Sequence, residues 1–151
     1  MTLLTHKKAR FDYTITDTYH AGIVLSGPEV KSLRNKSGSL TGSFVKIVGN
    51  EVFLLNAQIS PYKFADNREY DPKRTRKLLL KRSEIDHLAE ASQQKGITLV
   101  PLTIETVGNH IKVVVGVGRG KKVFEKRAVM KDRVIKRELE QSLKNKVRLD
   151  F

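Results

Sequence analysis

Leu99-Val-Pro-Leu-Thr-Ile-Glu-Thr-Val107, followed by Gly108-Asn109 and then His110-Ile-Lys-Val-Val-Val-Gly-Val117, reads as two strands joined by a two-residue turn. The runs Leu99 to Val107 and Ile111 to Val117 are rich in β-branched residues, which fit a pleated surface. A turn that begins with glycine supplies the positive φ a tight hairpin needs. The same device recurs at Gly49-Asn50, between Phe44 to Val48 and Val52 to Ile59. Two such hairpins predict a mainly antiparallel sheet.

Further strands are expected where Tyr13 and Ile15 alternate with polar residues, over Ala21 to Leu25, and over Leu78 to Leu80, with Leu79 in the core. Ser26-Gly-Pro-Glu29 has the form of a helix start. Ser26 caps, Pro28 suits an early helical position, and Glu29 completes a reciprocal box near the positive end of the helix dipole. Ser83-Glu-Ile-Asp86 opens a second helix carrying Ile85, Leu88 and Ala89 on one face, with Gly96 beyond its end. Pro61 to Arg76 is polar and basic and predicts a loop. The expected fold is mainly β: a small antiparallel barrel of about six strands, closed or partly open, with two to three short helices plugging its ends. Residues 1–119 form that body. Residues 120–151 form a basic C-terminal tail, and Gly116-Val-Gly-Arg-Gly120 reads as a flexible exit from the last strand.

Charge points to the partner. The chain of 151 residues carries 29 Lys and Arg against 16 Asp and Glu, a formal +13. Such an excess favours polyanions, nucleic acid first. No apolar run approaches the roughly 20 residues that span a bilayer. Behind Met1-Thr-Leu-Leu-Thr-His-Lys-Lys8 there is no secretory-type apolar core, so the expectation is a soluble cytoplasmic protein without a membrane partner.

Catalytic constellations are poor. His6, His20, His87 and His110 fall in four different elements, and none is spaced to share a zinc ion. There is no cysteine, hence no thiolate nucleophile. Glu84 and Asp86 are two apart on a helix, point to different faces, and serve the helix N-terminus. Gly116 to Gly120 lacks the spacing and the Lys-Ser or Lys-Thr ending of a phosphate-cradling loop. No enzyme activity, cofactor or metal is expected.

Basic clusters carry the positive signal: Lys7-Lys8-x-Arg10, Lys31-x-x-Arg34, Lys73-Arg74-Thr-Arg76-Lys77, Lys81-Arg82 and Gly120-Lys121-Lys122. Each alone reads as a solvated face; five together read as a nucleic-acid surface. Lys31 and Arg34 share one helical face and can grip one backbone. Tyr19 and His20 are placed to stack on an unpaired base, with barrel packing the equal alternative for Tyr19. In the tail, Met130, Val134, Leu139 and Leu143 give a thin helical periodicity between strongly positive flanks. Self-repulsion leaves such a segment disordered when free and helical on a polyanion; a helix docked on the barrel is the alternative.

Five stretches, Lys8-Ala-Arg-Phe-Asp-Tyr13, Ala21-Gly-Ile-Val-Leu-Ser-Gly-Pro-Glu-Val-Lys-Ser-Leu-Arg34, Val52-Phe-Leu-Leu-Asn56, Asp71-Pro-Lys-Arg-Thr-Arg-Lys-Leu-Leu-Leu80 and Gly120-Lys-Lys-Val-Phe-Glu-Lys-Arg127, resemble in order the SsrA-binding protein (small protein B) family. The resemblance runs from about residue 7 to residue 144. It implies an oligonucleotide-binding (OB) barrel that binds transfer-messenger RNA. With elongation factor Tu, it delivers that RNA to ribosomes stalled on messages without a stop codon, in trans-translation. In that picture Lys7, Lys8, Arg10, Tyr19, His20, Lys31, Arg34, Arg74, Arg76, Lys77 and Lys81 hold the RNA. Gly120, Lys121, Lys122, Phe124, Lys126, Arg127, Lys131, Arg133, Lys136 and Arg137 meet small-subunit ribosomal RNA in the empty message channel. His20 stands where the family usually carries an acidic residue, and Glu125 where its tail motif usually has Asp. A monomer is the expected state. A structural ribosomal protein and a small RNA-modifying enzyme are the rival classes.

Overall fold

The computed structural model describes residues 1–120. In chain order the elements are β1 (Thr2–Thr5), α1 (Lys7–Asp12), β2 (Tyr13–Ile23), α2 (Gly27–Arg34), β3 (Gly38–Ser39), β4 (Phe44–Val48), β5 (Glu51–Leu55), β6 (Gln58–Ile59), β7 (Arg76–Leu79), α3 (Arg82–Ser92), β8 (Ile97–Val107) and β9 (His110–Gly120). Both Gly-Asn turns form as expected. Val48 pairs with Glu51 and Val107 with His110, leaving two-residue connections. Gly49 and Gly108 take φ of 63° and 61°, a region costly for residues bearing a Cβ.

Six antiparallel strands close a ring in the order β8-β4-β5-β7-β2-β9, with β9 returning to β8. The expected barrel is therefore closed. Closure depends on a bulge in β8: Pro101 pairs with Val115 and Thr103 with Val114, leaving Leu102 unpaired against β9. Ahead of the bulge, Leu99 pairs with β4; beyond it, Thr103 to Glu105 pair with β1. Pro101, which lacks an N–H, is tolerated in this strand because it sits at the irregularity. The carbonyls there are used by the chain entering α1: the His6 amide donates to Leu102 O at 2.8 Å, and His6 Nδ1 donates to Pro101 O at 2.8 Å.

Two apolar clusters result. The main one fills the ring with Ala21, Val45, Val52, Leu54, Leu78, Leu99, Ile104, Val113, Val115 and Val117, to which α2 adds Leu33 and α3 adds Leu88, both fully buried. Burying one such leucine contributes about 2 kcal/mol. A smaller cluster lies outside the ring, where Ala9 of α1 packs on Val100, Leu102 and Val114 beside Tyr13 and Ile15. Neither β1 nor α1 is expected from sequence.

The last strand corrects another expectation. Gly116 to Gly120 is not a flexible exit but ladder, paired with β2 as far as Tyr13 opposite Gly120. A Cβ at Gly116 would lie 3.0 Å from Leu102 Cδ1, and one at Gly118 would lie 3.0 Å from Tyr13 Cβ. The glycines here admit neighbouring side chains rather than loosening the backbone.

Candidate nucleic-acid interface

Strand alternation sorts side chains between the barrel lumen and its outer face. Val45, Val52, Leu54, Leu78 and Ala21 point inward and are buried. Their neighbours therefore point outward, and the register sets them in rows. Lys46 is opposite Phe53 and Phe53 opposite Lys77, while the Val24 amide donates to Lys77 O at 3.0 Å. In the next row Leu79 is opposite Gly22, and Gly22 opposite Lys112. Leu79 is thus not core: it is 53% exposed, and its Cβ would lie 3.3 Å from a Cβ at Gly22. Phe53 is half-buried, Val24 is exposed, and Lys46 and Lys77 are both exposed. The face thus offers an apolar floor for base faces beside cations for phosphates.

His20 lies on this same outer face, exposed, two residues from Gly22. Tyr19 faces the other way, half-buried against the main core. Consecutive strand residues cannot serve one surface, so the expected Tyr19–His20 pair is split by the pleat.

The basic run 73–77 is divided in the same manner. Arg76 is fully buried and, contrary to expectation, is not available to RNA. Its Nε donates to Glu29 Oε2 at 2.7 Å. Its remaining N–H groups go to Ala57 O at 2.8 Å, Arg74 O at 3.0 Å, Tyr70 Oη at 3.2 Å and Pro72 O at 3.1 Å. All five guanidinium donors are occupied, which is how a charge survives out of water. Arg74 closes the other side of Glu29. Its Nε donates to Oε2 at 3.2 Å, its second guanidinium nitrogen to Oε1, and its side chain keeps 36% exposure.

Glu29 is 1% exposed. Burial alone would raise its pKa. Hydrogen bonds from Arg74, the Ser26 amide and Arg76, with the Arg76 charge, outweigh that and hold it down at about 2. The same carboxylate accepts from the Ser26 amide at 3.0 Å, while the Glu29 amide donates to Ser26 Oγ at 3.4 Å, so the expected capping box forms. Glu29 therefore fixes the start of α2 to the strand that carries Lys77 and Leu79.

The other proposed ligands are spread widely. Lys31 and Arg34 are exposed on α2, and Lys81 is exposed at the cap of α3, where its amide donates to Glu84 Oε1 at 3.1 Å. Lys7, Lys8 and Arg10 are exposed on α1 over the outer cluster. Lys77 pairs with Glu51 at 3.4 Å, both largely exposed, a contact worth little. Gly120 ends β9. Lys121, Lys122, Phe124, Lys126, Arg127, Lys131, Arg133, Lys136 and Arg137 lie outside the described residues. Among the described residues no group of three His, Asp or Glu could hold a metal, and no helix is long and apolar enough to cross a membrane. Sequence reasoning misses Phe53, Lys46 and the exposure of Leu79. The signal was available in the alternation of Val52 and Leu54 around Phe53.

A closed six-strand antiparallel barrel of this topology is an OB-like module, and here its outer face mixes apolar side chains with lysines. Residues 3–145 match the family described as SmpB protein, and the chain belongs to that family. It is 46% identical over 144 residues to the SsrA-binding protein of Geobacillus sp. (strain WCH70), covering 95% of this chain and 93% of that one. To the SsrA-binding protein of Elusimicrobium minutum (strain Pei191) it is 44% identical over 144 residues, covering 95% and 92%. A chain of the solved structure "tmRNA-SmpB: a journey to the center of the bacterial ribosome" superposes with a TM-score of 0.69 at 44% identity, over 82% of this chain and 87% of that one.

Proposed function

We propose that this protein is a non-enzymatic adaptor that binds transfer-messenger RNA and brings it to stalled ribosomes for trans-translation. The observation that carries the reading is similarity at 44–46% identity along 95% of the chain to SsrA-binding proteins. The likeness to a chain from a tmRNA–ribosome structure supports the ribosome as second partner.

On this reading the barrel grips folded RNA through its outer face. Lys46, Lys77, Lys81, Lys31 and Arg34 meet phosphates, while Phe53, Leu79 and His20 meet base or sugar faces. Lys7, Lys8 and Arg10 extend the contact over α1, and Arg74 adds charge from the edge of the Glu29 cluster. The basic residues from Lys121 to Arg137 engage ribosomal RNA in the vacant message channel. Elongation factor Tu joins through the RNA, and the protein acts as a cytoplasmic monomer.

Affinity purification of the full chain from its own cells, followed by RNA sequencing, tests this. A single dominant transfer-messenger RNA is expected, with substoichiometric ribosomes. Stoichiometric recovery with all ribosomes would instead mark a structural ribosomal protein. With about six phosphates contacted, binding should weaken roughly 1000-fold between about 50 and 200 mM salt. Removing residues 121–151 should spare RNA affinity and abolish tagging.

A further inference from the structure

Between β6 and β7 the chain makes a loop over residues 60–71 whose ends are tied together. The Ile59 amide donates to Pro72 O at 2.9 Å, and Tyr70 Oη donates to Ile59 O at 2.8 Å. At its tip the Ala65 amide donates to Tyr62 O at 3.1 Å. Asn67 Nδ2 clamps the same carbonyl at 2.7 Å and Ala65 O at 3.1 Å. The turn so built holds Phe64 74% exposed to solvent. Phe64 meets Tyr62 edge-on at 5.5 Å between centroids, and Lys63 Nζ sits 4.8 Å from its ring centre. A single exposed apolar residue needs no explanation. One braced by a side-chain clamp, a second aromatic and an ammonium is a presented ring.

The ring borders a cleft of about 470 Å³ between this loop and the C-terminal end of α2, within the usual range for small-ligand sites. Tyr62, Lys63 and Phe64 form one wall, and Ser32, Asn35 and Ser37 the other. The Ser60 amide donates to Ser37 O at 3.1 Å and fixes the two walls to each other. Among the described residues no carboxylate lines the cleft, whereas a second cleft bordered by the same loop contains Asp66 and Glu69. Lys31, Arg34 and Lys36 are exposed, and each is the immediate chain neighbour of a lining residue. Aromatic rings suit a base face, amide and hydroxyl groups suit a base edge, and surrounding cations suit phosphate.

We propose that this cleft takes one unstacked base of a bound RNA, with Phe64 as its stacking platform and the Asn35 wall facing the base edge. The proposal rests on the RNA-binding reading above. It adds a site on the α2 side of the body, separate from the outer face of β5, β7 and β2.

The chain has no tryptophan, so Phe64→Trp in the full-length protein is a single reporter. Titration with transfer-messenger RNA should quench its fluorescence in step with binding. Phe64→Ala should weaken binding by roughly 5- to 150-fold, the range for losing one base stack, and Phe64→Tyr should restore it. If RNA still binds with its salt dependence but neither the fluorescence nor the Phe64→Ala affinity moves, the cleft proposal fails and the RNA reading stands. Loss of ribosome engagement by Phe64→Ala at unchanged RNA affinity would assign the ring to a protein partner and also overturn it. Absence of any RNA binding by the wild-type chain sinks both.

Discussion

Arg76 and Glu29, 47 residues apart in the chain, meet at 2.7 Å inside the body, with Arg76 fully buried and Glu29 1% exposed. The contact joins the first turn of α2 to the first residue of β7. Lys77 and Leu79 of β7 are among the residues proposed to meet RNA, as are Lys31 and Arg34 of α2. A charge pair without surface exposure thus sets the relative position of two cationic elements.

Breaking the pair from one side should be costly, because the buried Glu29 carboxylate loses a cation that bulk solvent cannot reach to replace. Arg76→Ala should cost about 3–5 kcal/mol in urea unfolding. Arg74→Ala, whose side chain is part-exposed and leaves Arg76 in place, should cost clearly less. Equal losses for the two variants would show that Arg76 holds no special position.

Acid should reveal the same cluster. The folded Glu29 carboxyl lies at about 2 against an ordinary value of 4.5, so on lowering pH the unfolded chain takes up its proton first. The stabilisation is complete above about pH 4.5, declines as pH falls towards 2, and amounts to about 3 kcal/mol. Glu29→Gln should lower stability near neutrality and flatten this part of the pH curve. A wild-type stability that stays level between pH 4.5 and 2 would contradict the assignment.

The hairpins and the α2 cap were legible because their signals are local: a Gly-Asn pair between apolar runs, and Ser26 three residues before Glu29. Arg76 was not, since a guanidinium within a run of three other cations looks like surface. Only pairing with β5, where Arg76 lies opposite the buried Leu54, reveals its face. Leu78 to Leu80 is apolar throughout and hides its alternation, so the sequence alone puts Leu79 inside. β1 and α1, of four and six residues, have too few positions to show a period. They exist through tertiary bonds, such as those of His6 to the bulge in β8. Gly116 and Gly118 read from sequence as a flexible exit because the side chains that fill their space, Leu102 and Tyr13, are distant in sequence.

Gly38 offers a sharper test of backbone crowding. It is paired with Ile59 in the two-strand β3–β6 ribbon, and a Cβ there would lie 2.5 Å from the Gln58 carbonyl oxygen. The obstacle is backbone and cannot swing away, so Gly38→Ala should lower the melting temperature by several degrees, about 1–3 kcal/mol. Gly27→Ala, with nothing within 4 Å of the added carbon, should be close to neutral. The reverse order would mean that the β3–β6 pairing is not part of the folded state.

On the outer face, stacking and charge should separate in one experiment. Lys46 is exposed at one end of the Lys46–Phe53–Lys77 row and has no ion pair among the described residues, so its substitution removes charge without a structural partner. If Lys46 meets a phosphate, Lys46→Ala should reduce the slope of log affinity against log salt by about 0.9. Phe53→Ala should instead weaken transfer-messenger RNA binding by about 1–3 kcal/mol at every salt concentration, leaving the slope alone. Anisotropy titrations across 50–200 mM salt, with thermal melts to confirm that Phe53→Ala remains folded, read both effects. A changed slope for Phe53→Ala with none for Lys46→Ala would mean that the row does not face the RNA. The grip would then have to come from α1 and α2.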